Sequence, residues 1–170
     1  MTFRKLKPSE IDLRIGTVTG KGVSFLLYKN ARVDMQILDE TVGAENWQRD
    51  HFECKGNLFC RVGIKCGDSW VYKADCGVES QTEKEKGESS DSFKRACVCW
   101  GIGRELYTAP FIWIQLPKDF YEDDSSPKPK LTKKAQNILN KFRVSEISYN
   151  EAGEINNLVI VDKDGTVVWQ

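Results

Sequence analysis

Hydrophobic residues recur along the chain at two different periods, and the places where the period changes divide it into elements. Residues 1–29 keep neither period. Pro8, Gly16, Gly20 and Gly22 interrupt them and Phe25, Leu26, Leu27 and Tyr28 make one short apolar run, so an irregular arm is expected. From Asn30 to Val42 the apolar residues Val33, Ile37, Leu38 and Val42 fall at helical spacing and Gly43 ends the pattern, which predicts a first amphipathic helix. Between Trp47 and Val78 the period becomes two, with turn signals at Lys55-Gly56-Asn57 and Cys66-Gly67-Asp68-Ser69. Three antiparallel strands are predicted there, at about 47–54, 58–66 and 69–77.

The segment 79–90, ESQTEKEKGESS, is polar and aperiodic and reads as a loop. A second helix follows, in which Phe93, Ala96, Cys97 and Trp100 form an apolar stripe at i, i+3, i+4 and i+7 while Lys94 and Arg95 point elsewhere. Ser89, Ser90 and Asp91 are placed to cap its start, and Gly101 and Gly103 to stop it. Tyr107 to Leu116, with Phe111, Ile112, Trp113 and Ile114, fits a buried strand or a tightly packed segment. The composition then shifts to Asp, Ser, Pro and Lys over 121–131, a linker signature. Beyond it, Ala135, Ile138, Leu139 and Phe142 predict a short helix, and runs at 144–149, 155–161 and 166–169 predict a strand meander. The expectation is an α+β chain: a core domain at 1–120, a linker at 121–131 and a small helix and β-meander module at 132–170.

The register of the third strand decides which side chains share a face. Leu58, Cys60, Val62, Ile64 and Cys66 alternate with Phe59, Arg61, Gly63 and Lys65; Trp70, Tyr72, Ala74 and Cys76 alternate with Val71, Lys73 and Asp75. Putting both apolar sets on one side requires an odd loop, predicted as the three residues Cys66, Gly67 and Asp68. Arg61, Lys65 and Lys73 would then share the opposite face.

Charge narrows the function. The 170 residues carry 25 basic and 25 acidic side chains, which argues against coating of nucleic acid by bulk charge alone. The distribution is uneven: residues 1–33 hold seven basic and two acidic groups (net +5), residues 34–117 ten and fourteen (net −4), and residues 118–170 eight and nine (net −1). A polyanion site must therefore be a local groove. No apolar run approaches the ~18 residues of a membrane span, and the basic, polar N-terminus lacks a secretory h-region, so a cytoplasmic location and no membrane partner are expected. The six cysteines form no C-x-x-C pair and several occupy core positions, which predicts free thiols.

Asp91, Lys94, Arg95, Ala96, Trp100 and Gly101, followed by Leu106 and Tyr107, resemble the signature helix of the Rad fifty-two (Rad twenty-two) family of single-strand annealing proteins. Upstream, Arg32, Val33, Gly43 and Trp47 resemble the family's first helix, with the interval from Arg to Gly one residue longer than in eukaryotic members. Asp75, Cys76 and Gly77 match the end of its third strand. The resemblance covers about residues 28–108, in the family's order of helix, three-stranded antiparallel sheet and helix, and the compact chain looks like the phage or prophage branch. Eukaryotic members carry a further basic residue where Val98 stands and a more basic loop than ESQTEKEKGESS, which leaves the family's outer, second DNA site without support here. Val98 is instead expected at a contact between subunits.

The resemblance implies homologous recombination and DNA repair: an ATP-independent, homo-oligomeric ring or filament that binds single-stranded DNA, holds the annealed duplex intermediate and needs no cofactor. It is not expected to be an enzyme, since annealing makes and breaks no covalent bond. The chain also lacks a Gly-Lys-Ser/Thr ending to a glycine loop. Arg32, Lys94 and Arg95 are the expected DNA-binding residues by resemblance, with Arg61, Lys65 and Lys73 added by the sheet-face argument. For residues 132–170 the expectation is contact with a single-strand-binding protein or a neighbouring subunit. Three rivals compete. A metal-dependent enzyme or zinc protein on His51 and the cysteines lacks closely paired ligands. A nuclease on Asp39-Glu40 or Asp123-Asp124 would use acids that adjacent positions ordinarily leave solvated. An oligomeric β-rich interaction module without DNA binding would assemble and ignore nucleic acid.

Overall fold

The computed structural model describes residues 1–78, 84–122 and 129–170. The chain folds as two compact units, one of Met1–Lys5 and Asn30–Arg104, the other of Leu6–Lys29 and Glu105–Gln170. These units cut the chain elsewhere than the composition shift at 121–131. Of the expected loop at 79–90, residues 79–83 lie outside the described residues, as do 123–128 of the expected linker.

In the first unit, helix α1 (Ala31–Val42) starts where the Asn30 side chain accepts the Arg32 N–H at 2.9 Å and stops at Gly43, whose φ of 85° suits glycine. Its Ile37 and Leu38 are fully buried. Strands β1 (Trp47–Cys54), β2 (Asn57–Cys66) and β3 (Ser69–Cys76) form an antiparallel sheet, and helix α2 (Lys84–Trp100) packs on one face of it. Cys60, Val62 and Ile64 of the sheet meet Phe93, Ala96 and Cys97 of the helix, and all six are fully buried. Phe93 lies 6.1 Å from the Trp47 ring and 4.5 Å beneath the Arg49 guanidinium. The Trp100 indole donates to the Val62 carbonyl at 3.1 Å, pinning the end of the helix to the central strand.

Four expectations fail in this unit: the loop over 84–90, the start of α2, the three-residue turn and the shared cation face. Helix α2 begins at Lys84, so Ser89, Ser90 and Asp91 lie within it and cap nothing at its start. Its first turns are held by the sheet instead: Glu88 accepts the Leu58 N–H at 3.1 Å, Asp91 accepts the Val78 N–H at 3.1 Å, and His51 sits 3.2 Å from the Ser89 carbonyl. The β2–β3 turn has two residues, with Gly67 at φ 62° in its first position and Cys66 paired to Ser69. That register sets Lys73 opposite Val62, Tyr72 opposite Gly63 and Trp70 opposite Lys65. Trp70, Tyr72 and Ala74 therefore share the face of Arg61 and Lys65, and Lys73 lies on the helix-covered face; the three-residue loop and the shared face of Arg61, Lys65 and Lys73 are both overturned.

In the second unit the expected irregular arm is a hairpin. Strands β4 (Asp12–Thr19) and β5 (Gly22–Tyr28) pair antiparallel, and β5 pairs in turn with β6 (Ile112–Gln115). The glycines serve the pairing: a Cβ at Gly22 would strike the Ile114 carbonyl, and Gly16 lies in a register break where Ser24 accepts the Thr17 N–H at 2.8 Å. Helix α3 (Lys133–Leu139), capped by the Thr132 hydroxyl at 3.1 Å from Ala135 N, precedes the antiparallel meander of β7 (Arg143–Tyr149), β8 (Ile155–Val161) and β9 (Val167–Trp169). Phe142 faces Phe25 at 5.8 Å between ring centres. Buried Glu105 accepts the Leu6 N–H at 2.9 Å while Tyr149 donates to the Leu6 carbonyl at 2.8 Å. No helix among the described residues is long and apolar enough to cross a membrane.

Candidate nucleic-acid interface

Helix α2 keeps its apolar stripe on the sheet, and the same 3.6-residue period turns Lys94 and Arg95 outward along its flank. Both are half-exposed and each stands beside a carboxylate. Lys94 Nζ is 3.9 Å from Asp91 one turn earlier, and Arg95 is 3.2 Å from Asp75 at the end of β3. Ion pairs of this exposure contribute about 0–1 kcal/mol. A phosphate oxygen can thus replace either carboxylate at little cost.

Lys73 joins this flank. Its ammonium donates to the Cys99 carbonyl at 2.9 Å and stands 4.6 Å over the Trp100 ring. Arg104, which the sequence reading passed over, donates to the carbonyls of Val98 at 3.0 Å and Cys99 at 3.1 Å. Together they neutralise the C-terminal end of α2, where the helix dipole is negative and the last carbonyls lack helical partners. The chain leaves the helix there through Gly101, at φ 105°, with Ile102 N bonded to Cys97 O and Gly101 N to Val98 O, the Schellman pattern. Lys73, Lys94, Arg95 and Arg104 accordingly line α2 and the adjoining edge strand. Val98 is half-buried rather than fully outward.

The remaining predicted cations lie elsewhere. Arg32 is exposed in the first turn of α1. Arg61 and Lys65 stand on the sheet face opposite α2. Arg61 meets Asp50 on the neighbouring strand through two contacts, Nη2 at 2.9 Å and Nε at 3.1 Å, which pull the Asp50 carboxyl below its usual range and raise the guanidinium.

That open face also carries Trp70 and Tyr72, which the alternation expects in the core, and Phe52 beside them. Phe52, Trp70 and Tyr72 are 39%, 37% and 43% exposed. Phe52 stacks on Phe59 across β1 and β2 with ring centres 5.5 Å apart, and Trp70 lies 6.5 Å from Tyr72. Arg61 is 4.9 Å over the Tyr72 ring, and Gln48 donates to the Tyr72 hydroxyl at 2.7 Å. The signal that could have found Trp70 and Tyr72 is Gly67, whose suitability for a two-residue turn fixes an even loop and throws those two rings outward.

All six cysteines are free thiols, Cys60 and Cys97 buried and Cys54 and Cys66 exposed. Burial pushes the Cys60 thiol up to about 11, with Asp50 adding to the shift and Arg49 opposing it.

A family model described as Rad52/22 family double-strand break repair protein matches residues 3–124, well over half of the 170-residue chain. No curated protein and no solved structure matches.

Proposed function

Because the chain belongs to the Rad52/22 family of double-strand break repair proteins, whose general role is annealing in DNA recombination and repair, we propose that it binds single-stranded DNA and anneals complementary strands without ATP, as a homo-oligomeric ring or filament. The observation that carries this reading is the family match. The cations along α2 supply its chemistry: Lys94 and Arg95 hold phosphates on the helix flank and leave the bases free to pair, because phosphate contacts position a strand without reading its sequence. Lys73 extends the same flank. Arg32, Arg61 and Lys65 contact the strand from their separate positions. No bond is made or broken, so the protein works as a binding surface rather than an enzyme and calls for no cofactor.

The matched span supports residues 1–120 as the annealing segment, and residues 132–170 are assigned to contact with a single-strand-binding protein or a neighbouring subunit, in the cytoplasm. Separate elution of this protein and a bacterial single-strand-binding protein on a sizing column removes the first of those contacts.

The experiment that tests the function is anisotropy of a dye-labelled oligonucleotide, as single strand and as duplex, titrated with protein over a series of salt concentrations. Sequence-independent binding that weakens steeply with salt is expected. Assembly into oligomers with no nucleic-acid binding at low salt makes the chain an interaction module instead.

A further inference from the structure

We infer that the open face of the β1–β2–β3 sheet is a stacking platform for the unpaired bases of the bound strand, an inference that rests on the DNA-binding reading above. An antiparallel sheet with one face covered ordinarily turns polar side chains outward on the other. This one turns out Phe52, Phe59, Trp70 and Tyr72. They are presented by three different strands, in two ring pairs with centres 5.5 and 6.5 Å apart.

The rings are fixed in advance. Tyr72 lies across Gly63, where a Cβ would collide with it, so the glycine lets the ring settle against the backbone. Gln48 holds its hydroxyl, and Arg61, itself clamped by Asp50, covers part of its ring. Side chains ordered before the ligand arrives lose little entropy on binding.

Charge decides between a nucleic acid and a second copy of the chain as occupant. Among the described residues of its strands, the face holds two cations, Arg61 and Lys65, against the carboxylate of Asp50. A dry subunit contact would bury Lys65 and the Arg61–Asp50 pair at a desolvation cost, and interface cores are depleted in lysine. A single strand meets the same groups with phosphates and lays its bases on the rings, a combination that tolerates any sequence because every base has a flat face. Stacking engages that face and leaves the pairing edge open. A duplex, whose bases already stack on one another, gains nothing from the platform.

The test compares two labelled probes of equal length, an oligothymidylate and an abasic deoxyribose-phosphate strand, on wild type and on Trp70→Ala/Tyr72→Ala, with assembly followed by light scattering. Wild type is expected to bind oligothymidylate more tightly than the abasic strand. The alanine variant is expected to lose about tenfold or more on oligothymidylate, to keep its abasic affinity and its salt slope, and to regain the loss as Trp70→Phe/Tyr72→Phe. Equal wild-type affinity for the two probes overturns the platform without any variant. So does an alanine variant that loses both probes alike, or that comes apart in solution, which makes the face a subunit contact. Wild type that binds neither probe at low salt refutes the DNA-binding reading itself, a separate failure.

Discussion

Replacing Lys94 and Arg95 with alanine together separates a phosphate-binding role from a structural one. In the folded protein the two side chains make surface ion pairs, Lys94 with Asp91 at 3.9 Å and Arg95 with Asp75 at 3.2 Å, with the cationic side chains 27% and 43% exposed. After solvent screening each pair is worth at most about 1 kcal/mol, and alanine is the better helix former. The variant should therefore lose less than about 2 kcal/mol and unfold as cooperatively as wild type. Binding should change far more. A protein that neutralises Z phosphates of a single strand shows a slope of about −0.7Z in log affinity against log salt. Two lost contacts flatten the slope by about 1.4, with the largest affinity loss at low salt. Anisotropy over a salt series, with a denaturant melt of the same preparations, reads both quantities. An unchanged slope with an unchanged melt would show that Lys94 and Arg95 do not touch phosphate; a collapsed melt would make them structural.

Phe93→Ala should cost about 3–5 kcal/mol in a denaturant melt, since it removes a fully buried ring from between α2 and the β1–β2–β3 sheet; a loss under 1 kcal/mol would mean that the helix does not pack there. With Ellman's reagent near neutral pH, Cys54 and Cys66 should react first, while Cys60 and Cys97 stay protected until the protein is denatured; peptide mapping that finds Cys60 among the fast thiols contradicts its burial. Burial, and then the nearby carboxylates of Glu105 and Glu10, raise the Tyr149 phenol above its ordinary value. Its contribution to stability is therefore complete below the unfolded phenol value of about 10 and is lost as pH rises beyond it. Alkaline unfolding curves of wild type and Tyr149→Phe should converge above that pH, and parallel curves would refute the shift.

How much of this was legible in the sequence depended on whether local pattern and tertiary contact agreed. Helix α1 was readable because Asn30, the stripe of Val33, Ile37 and Leu38, and Gly43 all point to the same bounds. The meander of β7, β8 and β9 was readable because Gly153 and Gly165 mark its turns, each at positive φ. The β4–β5 hairpin was hidden because Val23, Ser24 and Phe25 are all buried, which erases alternation, and because glycines that admit close strand approach look like loop residues. The first turns of α2 were hidden because Glu88 and Asp91 are held by backbone N–H groups of the β2 start and the segment after β3, which no local pattern records. For the candidate site, the signature helix showed Lys94 and Arg95 but not their carboxylate neighbour Asp75, which arrives from another element. The open aromatic face is hidden because alternation by itself directs large apolar residues to the core. Trp70 and Tyr72 break that rule, and Lys73 turns inward to the α2 end.

The most direct test of the central claim is the rate at which two complementary, dye-labelled oligonucleotides anneal in the presence of this protein and the absence of ATP. Acceleration over the uncatalysed rate, lost in an assembled Lys94→Ala/Arg95→Ala variant, is the predicted result. An unchanged rate with the wild-type protein, at salt low enough for binding, would contradict it.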